Sequence, residues 1–477
     1  MLIVLACLAA LAAGAFAKGH SSARLADWTE FDLNPQRSGS SPASTGITAS
    51  NISTLRRLTV ELPGTVDSSP LYLHAARIGG RVRSAVFVET TYGRVLALNP
   101  DDGTTLWSFT PRGYASWAGG YRVTPSTPLI AGAFIYAAAP DGDVHKIRIA
   151  DGLEVRSAHW PARVSRDPLH EKLTPSLNID GRYLIAATGG YIGDAPPYQG
   201  HVVLIDLSTG RVRAVFNALC ANRRLELSPA SRTAWGAAVL SRGGPVVEPG
   251  GRRLLVTTGN GPYDGRRAFG DAVLELAVPT LRLTQAFTPP QTRALDEEDL
   301  DLGSVAPSLL GSNRVLLGGK DHRLRLLRLS PLDGRRTVRG PWPTGGELQT
   351  VPFGGEVEGI FTQFAVVHSG SSTRVVATSV TECAVFTLAA GRLRLDWSIA
   401  RGGTSPVYAG GLLYIYEPAY GGVYVYRLDS PRPVTVLPGG PGHWNSPIVV
   451  DGHVIEPDGN DNEHRTSGSL EIFSLPR

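Results

Sequence analysis

Short apolar segments separated by tight turns recur along the chain, and the pattern is clearest between residues 67 and 109. Each segment is too short for a helix and has the alternating or wholly apolar character of a strand. The turns carry Tyr92-Gly93 and Asp102-Gly103, residues that tolerate the backbone angles of tight turns. The pattern therefore predicts four antiparallel strands, within Leu71–Leu73, Ala85–Thr90, Val95–Leu98 and Thr105–Phe109.

The same unit returns until eight copies are counted, at a spacing of roughly 40 to 60 residues, which is the range of propeller blades. The last copy lacks its outer strand, whereas Leu55–Leu62 is a strand without a blade ahead of the first copy. Because the strand ahead of the first copy can supply the outer strand that the last copy lacks, we expect the N-terminal strand to close the ring and leave no open edge. The prediction is an all-β chain with one eight-bladed β-propeller of four-stranded antiparallel blades over residues 51–477, after an irregular lead-in over 18–50.

Composition supports this class. The chain has 477 residues with 55 Gly and 35 Pro, no periodic glycine and 42% hydrophobic residues. Long helices and collagen do not accommodate so many scattered glycines and prolines, and the apolar fraction is too high for disorder. Many short strands joined by turns account for all three observations.

The first 17 residues are typical of a secretory signal. Met1–Phe16 is almost entirely apolar, and Ala15-Phe16-Ala17 is an A-x-A cleavage pattern ahead of Lys18. The apolar run is shorter than the ~20 residues of a membrane span. We expect an exported protein, periplasmic or extracellular, with no membrane span in the mature chain; the alternative is a retained N-terminal anchor.

Charge and cysteine content limit the partners, disulfide bonds and cofactors that we expect. Net charge is +4, and the 46 cationic residues, nearly all Arg, are spread without a dense run, so we expect no nucleic-acid partner. After export Cys220 and Cys383 remain, either paired, which an exported protein permits, or as two buried free thiols. No C-x-x-C-H is present, so we expect no haem. Trp107 and Trp397 recur at blade ends and are expected to pack.

The repeat resembles the pyrroloquinoline quinone (PQQ) repeat, with its "ALN" or "AID" strand, its Asp-x-x-Thr-Gly turn and its "LW.F" strand. Thr91–Asn99 with Leu106–Phe109 is a close match, and His201–Gly210 is another. The lead-in, with Trp28–Asp32 and Arg37-Ser38-Gly39, also resembles the start of such proteins. The resemblance covers nearly the whole mature chain and implies the superfamily of quinoprotein alcohol dehydrogenases, whose enzymes bind PQQ with a divalent ion, usually Ca²⁺, on the propeller axis.

Three stretches match that site. Thr258–Pro262 resembles the family's strand-end Gly-Asn-Gly, which implies Asn260 as an ion ligand; the alternative is a turn. Glu298–Asp301 resembles Trp-Asp-x-Asp, which implies Asp299 as catalytic base and Asp301 as a metal ligand; the alternative is a solvated acidic loop. Gly319-Lys320-Asp321 resembles the motif whose Lys contacts the cofactor, although Lys320 is equally a candidate surface residue.

Other positions depart from the family. The vicinal disulfide over the cofactor is absent, and the position of the family's ligand Glu falls on Ala195, so Asp194 is the nearest carboxylate and our third metal candidate. Trp235-Gly236 resembles the cofactor-stacking motif, yet counting back from Asn260 places that aromatic near Leu240. Asp458–His464 is rich in oxygen ligands and could hold Ca²⁺, but it lacks EF-hand spacing, and we expect a solvated loop between strands.

Two functions remain open. The first is a quinoprotein-like oxidoreductase that binds PQQ and Ca²⁺ and passes electrons from a small alcohol to an external acceptor. The second is a non-catalytic scaffold that binds a protein partner through its loops, like the propeller of the outer-membrane protein assembly machinery.

Overall fold

The computed structural model describes residues 26–221, 235–334, 340–355 and 359–476, and it confirms the predicted propeller. Eight sheets follow one another along the chain, and neighbouring strands are antiparallel and in sequence order except where Ser40–Ser41 and Arg56–Leu62 join the last two. The predicted signal segment, residues 1–17, lies outside the described residues. First strands of successive blades contact each other, which places them around the axis of the ring.

The first four blades each contain four strands, with the first strand at the axis and the fourth at the periphery. In chain order the strands are Leu71–Ile78, Arg81–Glu89, Val95–Leu98 and Thr105–Phe109; Leu129–Ala131, Phe134–Ala138, Asp143–Arg148 and Ala162–Arg163; Asn178–Asp180, Tyr183–Ala187, His201–Asp206 and Val212–Asn217; Val246–Val247, Arg253–Thr257, Val273–Ala277 and Arg282–Phe287.

The last four blades follow the same order, except that the outer strand of blade 8 comes from the N-terminal part of the chain. The strands are Ser308–Gly311, Arg314–Leu317, Arg323–Arg328 and Gln349–Pro352; Ala365–Ser369, Ser372–Thr378, Cys383–Ala389 and Arg392–Ile399; Val407–Ala409, Leu412–Tyr416, Val423–Tyr426 and Pro433–Leu437; Ile448–Val450, His453–Asp458, Gly468–Ser474 and Arg56–Leu62.

The ring closes as predicted. Arg56–Leu62 pairs antiparallel with Gly468–Ser474 over seven residue pairs and becomes the fourth strand of blade 8. Closure removes the unpaired edges that an open sheet would offer to other chains. A short fifth strand, Ser40–Ser41, also pairs in parallel with the first strand of blade 7.

Blade ends pack as the sequence predicted. The indole Nε1 of Trp107 donates to the Ile149 carbonyl of the next blade at 2.8 Å, and that of Trp397 donates to the Leu428 carbonyl at 3.0 Å. A Cβ at Gly152 would lie 2.6 Å from the Trp107 ring, so the turn of blade 2 requires glycine there. Cys220 and Cys383 are both free thiols, on blades 3 and 6.

The lead-in is the element the sequence pattern predicted least well. Expected as irregular, it crosses the axis and bonds in turn to blades 1, 2, 4, 6, 7 and 8, through Tyr72, Ile130, Val247, Val366, Tyr408 and Gly452. The fully buried guanidinium of Arg37 donates to Leu177 and Gly243 carbonyls and pairs with Glu30 at 3.1 Å. The axial channel is therefore plugged at the level of the innermost strands.

Helical structure is minor. In the part of the chain that the structure describes, one α-helix, Thr292–Glu297, precedes blade 5, and the 3₁₀ turns are Ile52–Thr54, Tyr114–Ser116, Leu302–Ser304 and Asp461–Glu463. Within the described ranges, none of the helices has the length and apolar character needed to cross a bilayer.

Candidate functional site

A cavity of about 460 Å³ lies next to the plug, since Arg37 of the lead-in contacts Gly243, which follows the lining residue Arg242. Its lining comes from loops of blades 3, 4, 5, 6 and 8, and only a position on the axis brings these loops together. The volume falls within the range of small-molecule sites. The lining groups form two charged clusters, one predicted from the sequence and one not.

The predicted cluster, called the acidic pole here, consists of Asn260, Asp299, Asp301 and Lys320. The Asn260 backbone N–H donates to Asp301 Oδ1 at 2.7 Å, and its side-chain Nδ2 donates to Asp299 Oδ1 at 2.6 Å. Lys320 Nζ lies 2.5 Å from Asp301 Oδ2 and 3.2 Å from Asp299 Oδ1. The structure therefore brings four predicted residues into one hydrogen-bonded group.

Glycine makes the close approach of this pole possible. A Cβ at Gly259 would lie 2.1 Å from Asp301 Oδ1, and one at Gly303 would lie 2.4 Å from the Gly259 nitrogen. Such distances exclude any side chain, so the loop that carries Asp301 packs against bare backbone. The tight turn places the two carboxylates on either side of the Lys320 ammonium.

The carboxylates of Asp299 and Asp301 differ in how far they are buried. The Asp299 side chain is 67% exposed, whereas that of Asp301 is 8% exposed. Burial raises the pKa of Asp301, although Lys320 opposes the rise. Burial acts against the charged form of Lys320, but Asp301 and Asp299 outweigh it and raise the Lys320 pKa. Asp299 is thus the accessible carboxylate and Asp301 the enclosed one.

Two further details bear on whether Asn260 is an ion ligand or a turn residue. Asn260 does not have a left-handed backbone conformation, so the turn alternative does not explain why Asn occupies this position. Its Oδ1 is buried without a hydrogen-bond partner in the described structure. Beneath it, Asp271 accepts from the Leu302 N–H at 3.0 Å, and burial raises the Asp271 pKa to about 8. An unsatisfied buried carbonyl is costly unless a ligand completes it.

Asp194 lines the same cavity, where its Oδ1 accepts from the Tyr198 hydroxyl at 2.8 Å. Burial raises the Tyr198 pKa, with a further contribution from Asp194. Among described residues, however, Asp194 does not form a set with Asp299 and Asp301 in which all ligand atoms lie within 4.8 Å. Asp194 is near the acidic pole without completing a preformed ligand cage.

Trp235, the remaining predicted site residue, is not part of the cavity lining. Its side chain is 44% exposed, its ring centroid lies 6.0 Å from that of Tyr198, and it lies outside the cavity lining. Leu240 and Arg242 line the cavity instead. The adjacent Gly236 packs against the Asn260 carbonyl, so Trp235 stands beside the acidic pole but outside the described lining, and its stacking role stays a prediction.

The second cluster, called the basic pole here, was not predicted and contains Lys172, Arg242 and His443 with Asp67 and Asp461. His443 Nδ1 lies 2.7 Å from Asp67 Oδ2 and 3.3 Å from Asp461 Oδ1. Lys172 Nζ lies 2.8 Å from Asp461 Oδ2, and Arg242 lies 3.2 Å from Asp67 Oδ2. Three cations from three interblade loops thus surround two buried carboxylates.

The pole is electrostatically coupled. Burial opposes ionisation of Asp461, but Lys172, His443 and Arg242 outweigh it and hold the Asp461 pKa well below its usual range. Burial also opposes protonation of His443, yet Asp67 and Asp461 outweigh it and raise the His443 pKa. Charged forms are therefore favoured on both partners.

A flat aromatic wall completes the lining. The rings of Phe361 and Trp444 stack with centroids 4.9 Å apart and planes 18° apart, and the His443 ring lies 4.8 Å from Trp444. Both aromatic residues line the cavity and are only partly buried. Such surfaces suit a planar ligand.

One regularity in the sequence would have indicated the basic pole. Asp67, Lys172, Arg242 and His443 each stand a few residues before the first strand of a blade. In a propeller these segments enter the axis, so charged residues there meet whatever their separation in sequence. Asp461 comes from the oxygen-rich loop between the second and third strands of blade 8, as predicted. The expectation that this loop is solvated is wrong at Asp461, which is buried because its carboxylate pairs with Lys172.

The comparisons agree with this architecture. A PQQ-repeat family model described as outer membrane protein assembly factor BamB matches residues 59–261. No curated protein matches the sequence. The structure is similar to quinohemoprotein alcohol dehydrogenase from Comamonas testosteroni, with a TM-score of 0.68 and 14% identity over 96% of this chain and 81% of that one.

Two further solved structures are similar. A europium-containing methanol dehydrogenase gives a TM-score of 0.67 at 14% identity, covering 94% of this chain and 98% of that one. BamB from Moraxella catarrhalis gives 0.51 at 11% identity, covering 88% and 99%. At these identities the likeness establishes the fold. The repeat is matched in sequence over residues 59–261 and the ring is matched in structure, so the chain is similar to the PQQ-repeat β-propellers in both respects.

Proposed function

We propose that the protein is an exported quinoprotein-like oxidoreductase that binds PQQ and a divalent cation such as Ca²⁺ in the axial cavity. The observation that carries the proposal is the acidic pole, where Asn260, Asp299, Asp301 and Lys320 converge at one mouth of the axis. Solvated turns with unrelated roles have no reason to meet there. Export is part of the proposal and rests on the apolar Met1–Phe16 segment.

The donor set fits a hard cation. The unpartnered Asn260 Oδ1 and the carboxylates of Asp299 and Asp301 are oxygen ligands, which Ca²⁺ prefers. The two carboxylates and the Lys320 ammonium leave the pole with one net negative charge. We assign Asn260 and Asp301 to the cation, with Asp194 of the same cavity lining as a further carboxylate.

The rest of the cavity fits a planar polycarboxylate such as PQQ. Lys320 and the basic pole supply positive charge, and Phe361 and Trp444 supply a flat apolar surface. When bound, the quinone supplies an acceptor for the hydride that leaves the alcohol carbon, and the cation supplies Lewis-acid polarisation.

Asp299 is assigned the role of base. Its exposed carboxylate is available to a hydroxyl that enters from solvent, and Asn260 and Lys320 hold it at 2.6 Å and 3.2 Å. The alcohol gives its hydroxyl proton to Asp299 and leaves as a carbonyl compound, while two electrons pass on to an external acceptor. The substrate class is a small alcohol.

The test is reconstitution of the full chain with PQQ and Ca²⁺. We expect a bound-quinone absorbance and dye-linked alcohol oxidation. An Asp301→Asn variant should require a higher Ca²⁺ concentration, whereas the matched Glu298→Gln variant, which removes a neighbouring exposed acid, should match the wild type. Failure of the wild type to bind PQQ at saturating Ca²⁺ would reject the oxidoreductase.

A second candidate is a protein-binding scaffold, and one observation favours it. Tyr121, Leu169 and Ile192 are 53%, 51% and 76% exposed beside the cavity mouth. The Tyr121 ring packs on Tyr191, which precedes Ile192, and its hydroxyl donates to the Leu169 carbonyl, so the three exposed residues lie in one region, called the rim here. A Tyr121→Ser/Ile192→Ser double variant that loses a co-purifying partner but keeps PQQ binding would assign the rim to a protein.

A further inference from the structure

We infer that the basic pole is a built carboxylate-binding subsite, at which Lys172, Arg242 and His443 bind an anionic group of the ligand that occupies the axial cavity. The inference deepens the proposed function because it concerns the same cavity. Its test uses binding alone, so it stands or falls separately from catalysis.

The buried carboxylates act as supports for the three cations. Asp67 Oδ2 accepts from His443, from Arg242 and, at 3.0 Å, from the Asp461 backbone N–H. Asp67 Oδ1 accepts from the Trp444 N–H at 3.2 Å. With its oxygens occupied by protein donors, Asp67 orients the cations and is not itself open to a ligand.

Arg242 is fixed before any ligand arrives. One terminal nitrogen of its guanidinium donates to the carbonyls of Asp67 and Pro125 at 3.1 Å and 3.0 Å, and the other faces the Asp67 carboxylate. Residue exposure is 8%, yet the side chain lines the cavity. A guanidinium held this rigidly loses little conformational freedom when it binds an anion.

The donors exceed the acceptors within the pole. Lys172 Nζ has three protons, and Asp461 accepts one of them. The second ring nitrogen of His443, Nε2, lies 3.5 Å from Asn462 Nδ2. With His443 protonated, three positive charges face two negative ones. The surplus positive charge and unused donors define a site for a carboxylate.

A metal is the competing occupant. Among described residues, Asp67, His443 and Asp461 are a set whose ligand atoms all lie within 4.8 Å of one another. The Lys172 ammonium and the Arg242 guanidinium lie 2.8 Å and 3.2 Å from the same carboxylates, however. An entering cation would meet two permanent positive charges, so charge favours an anion here.

The experiment titrates the full chain, without Ca²⁺ or quinone, with benzene-1,3,5-tricarboxylate and with its neutral trimethyl ester. Calorimetry gives the affinity, and thermal unfolding confirms that each variant is folded. We expect binding of the triacid and none of the ester. Arg242→Met should weaken binding about 10- to 100-fold, the loss expected for charge-assisted hydrogen bonds.

A milder variant and a control make the result interpretable. His443→Gln, at a side chain that is 20% exposed, should fold and weaken triacid binding about 10-fold. Arg148→Gln removes an exposed arginine away from the cavity and should change nothing.

The outcomes separate the proposals. Equal binding by His443→Gln, Arg242→Met and the wild type, or calorimetric binding of Zn²⁺ that His443→Gln abolishes, would overturn the subsite. Arg242-dependent binding of the triacid without any PQQ-linked oxidation would support the subsite and reject only the oxidoreductase.

Discussion

The acidic pole and the basic pole of the axial cavity contain similar residue types, but carboxylates outnumber cations in the first and cations outnumber carboxylates in the second. The acidic pole has two carboxylates and one lysine, and its Asp299 is 67% exposed. The basic pole has three cations around two carboxylates that are at most 1% exposed. Water can solvate the exposed Asp299 but not the buried Asp67 and Asp461, so Asp299 is open to a ligand while the two buried carboxylates depend on their cations.

The largest expected effect is on turnover at the acidic pole. Replacing Asp299 with Asn removes the proposed base and should lower alcohol oxidation about 100- to 10,000-fold, while PQQ affinity changes little. Dye-linked turnover and quinone absorbance measure the two quantities on one sample. A variant that retains wild-type turnover would remove Asp299 from the mechanism, and Glu298→Gln is the matched control.

The second expected effect is a loss of unfolding free energy, which should be larger for a substitution in the basic pole than for one in the acidic pole. Arg242→Met leaves Asp67 and Asp461 short of a partner and should cost about 3–5 kcal/mol of unfolding free energy. Lys320→Met should cost about 1–2 kcal/mol, because Asp299 is exposed and Asp301 keeps its bond from the Asn260 N–H. Urea unfolding of both variants tests the order, and equal losses would contradict it.

A smaller effect is expected in the pH dependence of stability. Asp67 and Asp461 raise the folded-state pKa of His443 against the burial and the nearby Arg242, with Lys172 also in the cluster. A raised folded pKa stabilises the protein fully below about pH 6.5, the unfolded value, and the contribution is lost as pH rises through the folded pKa.

The measurement compares wild type with His443→Gln by urea unfolding between pH 6 and pH 9. The stability advantage of the wild type should shrink as pH rises. An advantage that grows with pH would show that His443 is neutral in the folded protein.

The smallest effect is expected at the aromatic wall. Trp444→Leu removes the stack on Phe361 and should weaken binding of the aromatic triacid about 2- to 10-fold. Calorimetry on this variant, with His443→Gln beside it, ranks stacking against charge. A larger loss from Trp444→Leu than from Arg242→Met would invert the ranking.

The acidic pole was predictable because its residues stand in recognisable strings: Asn260 in Gly-Asn-Gly, Asp299 and Asp301 in Asp-x-Asp. The basic pole was missed because Asp67 and His443 are separated by 376 positions and share no string. Only their common position, a few residues before the first strand of a blade, relates them. Trp235 stands in a string that resembles the stacking motif, yet Leu240 and Arg242 line the cavity and Trp235 does not, so its role stays a prediction.

The sequence alone determined the repeat, the number of blades and the closing strand, because a period of strands and turns is a local property repeated eight times. It also determined which loop carries Asp299 and Asp301. Only the tertiary structure decided that Arg37 plugs the channel and that Arg242, Lys172 and His443 share one wall. The reason is that ring closure brings together residues from different blades, and no local pattern records those contacts.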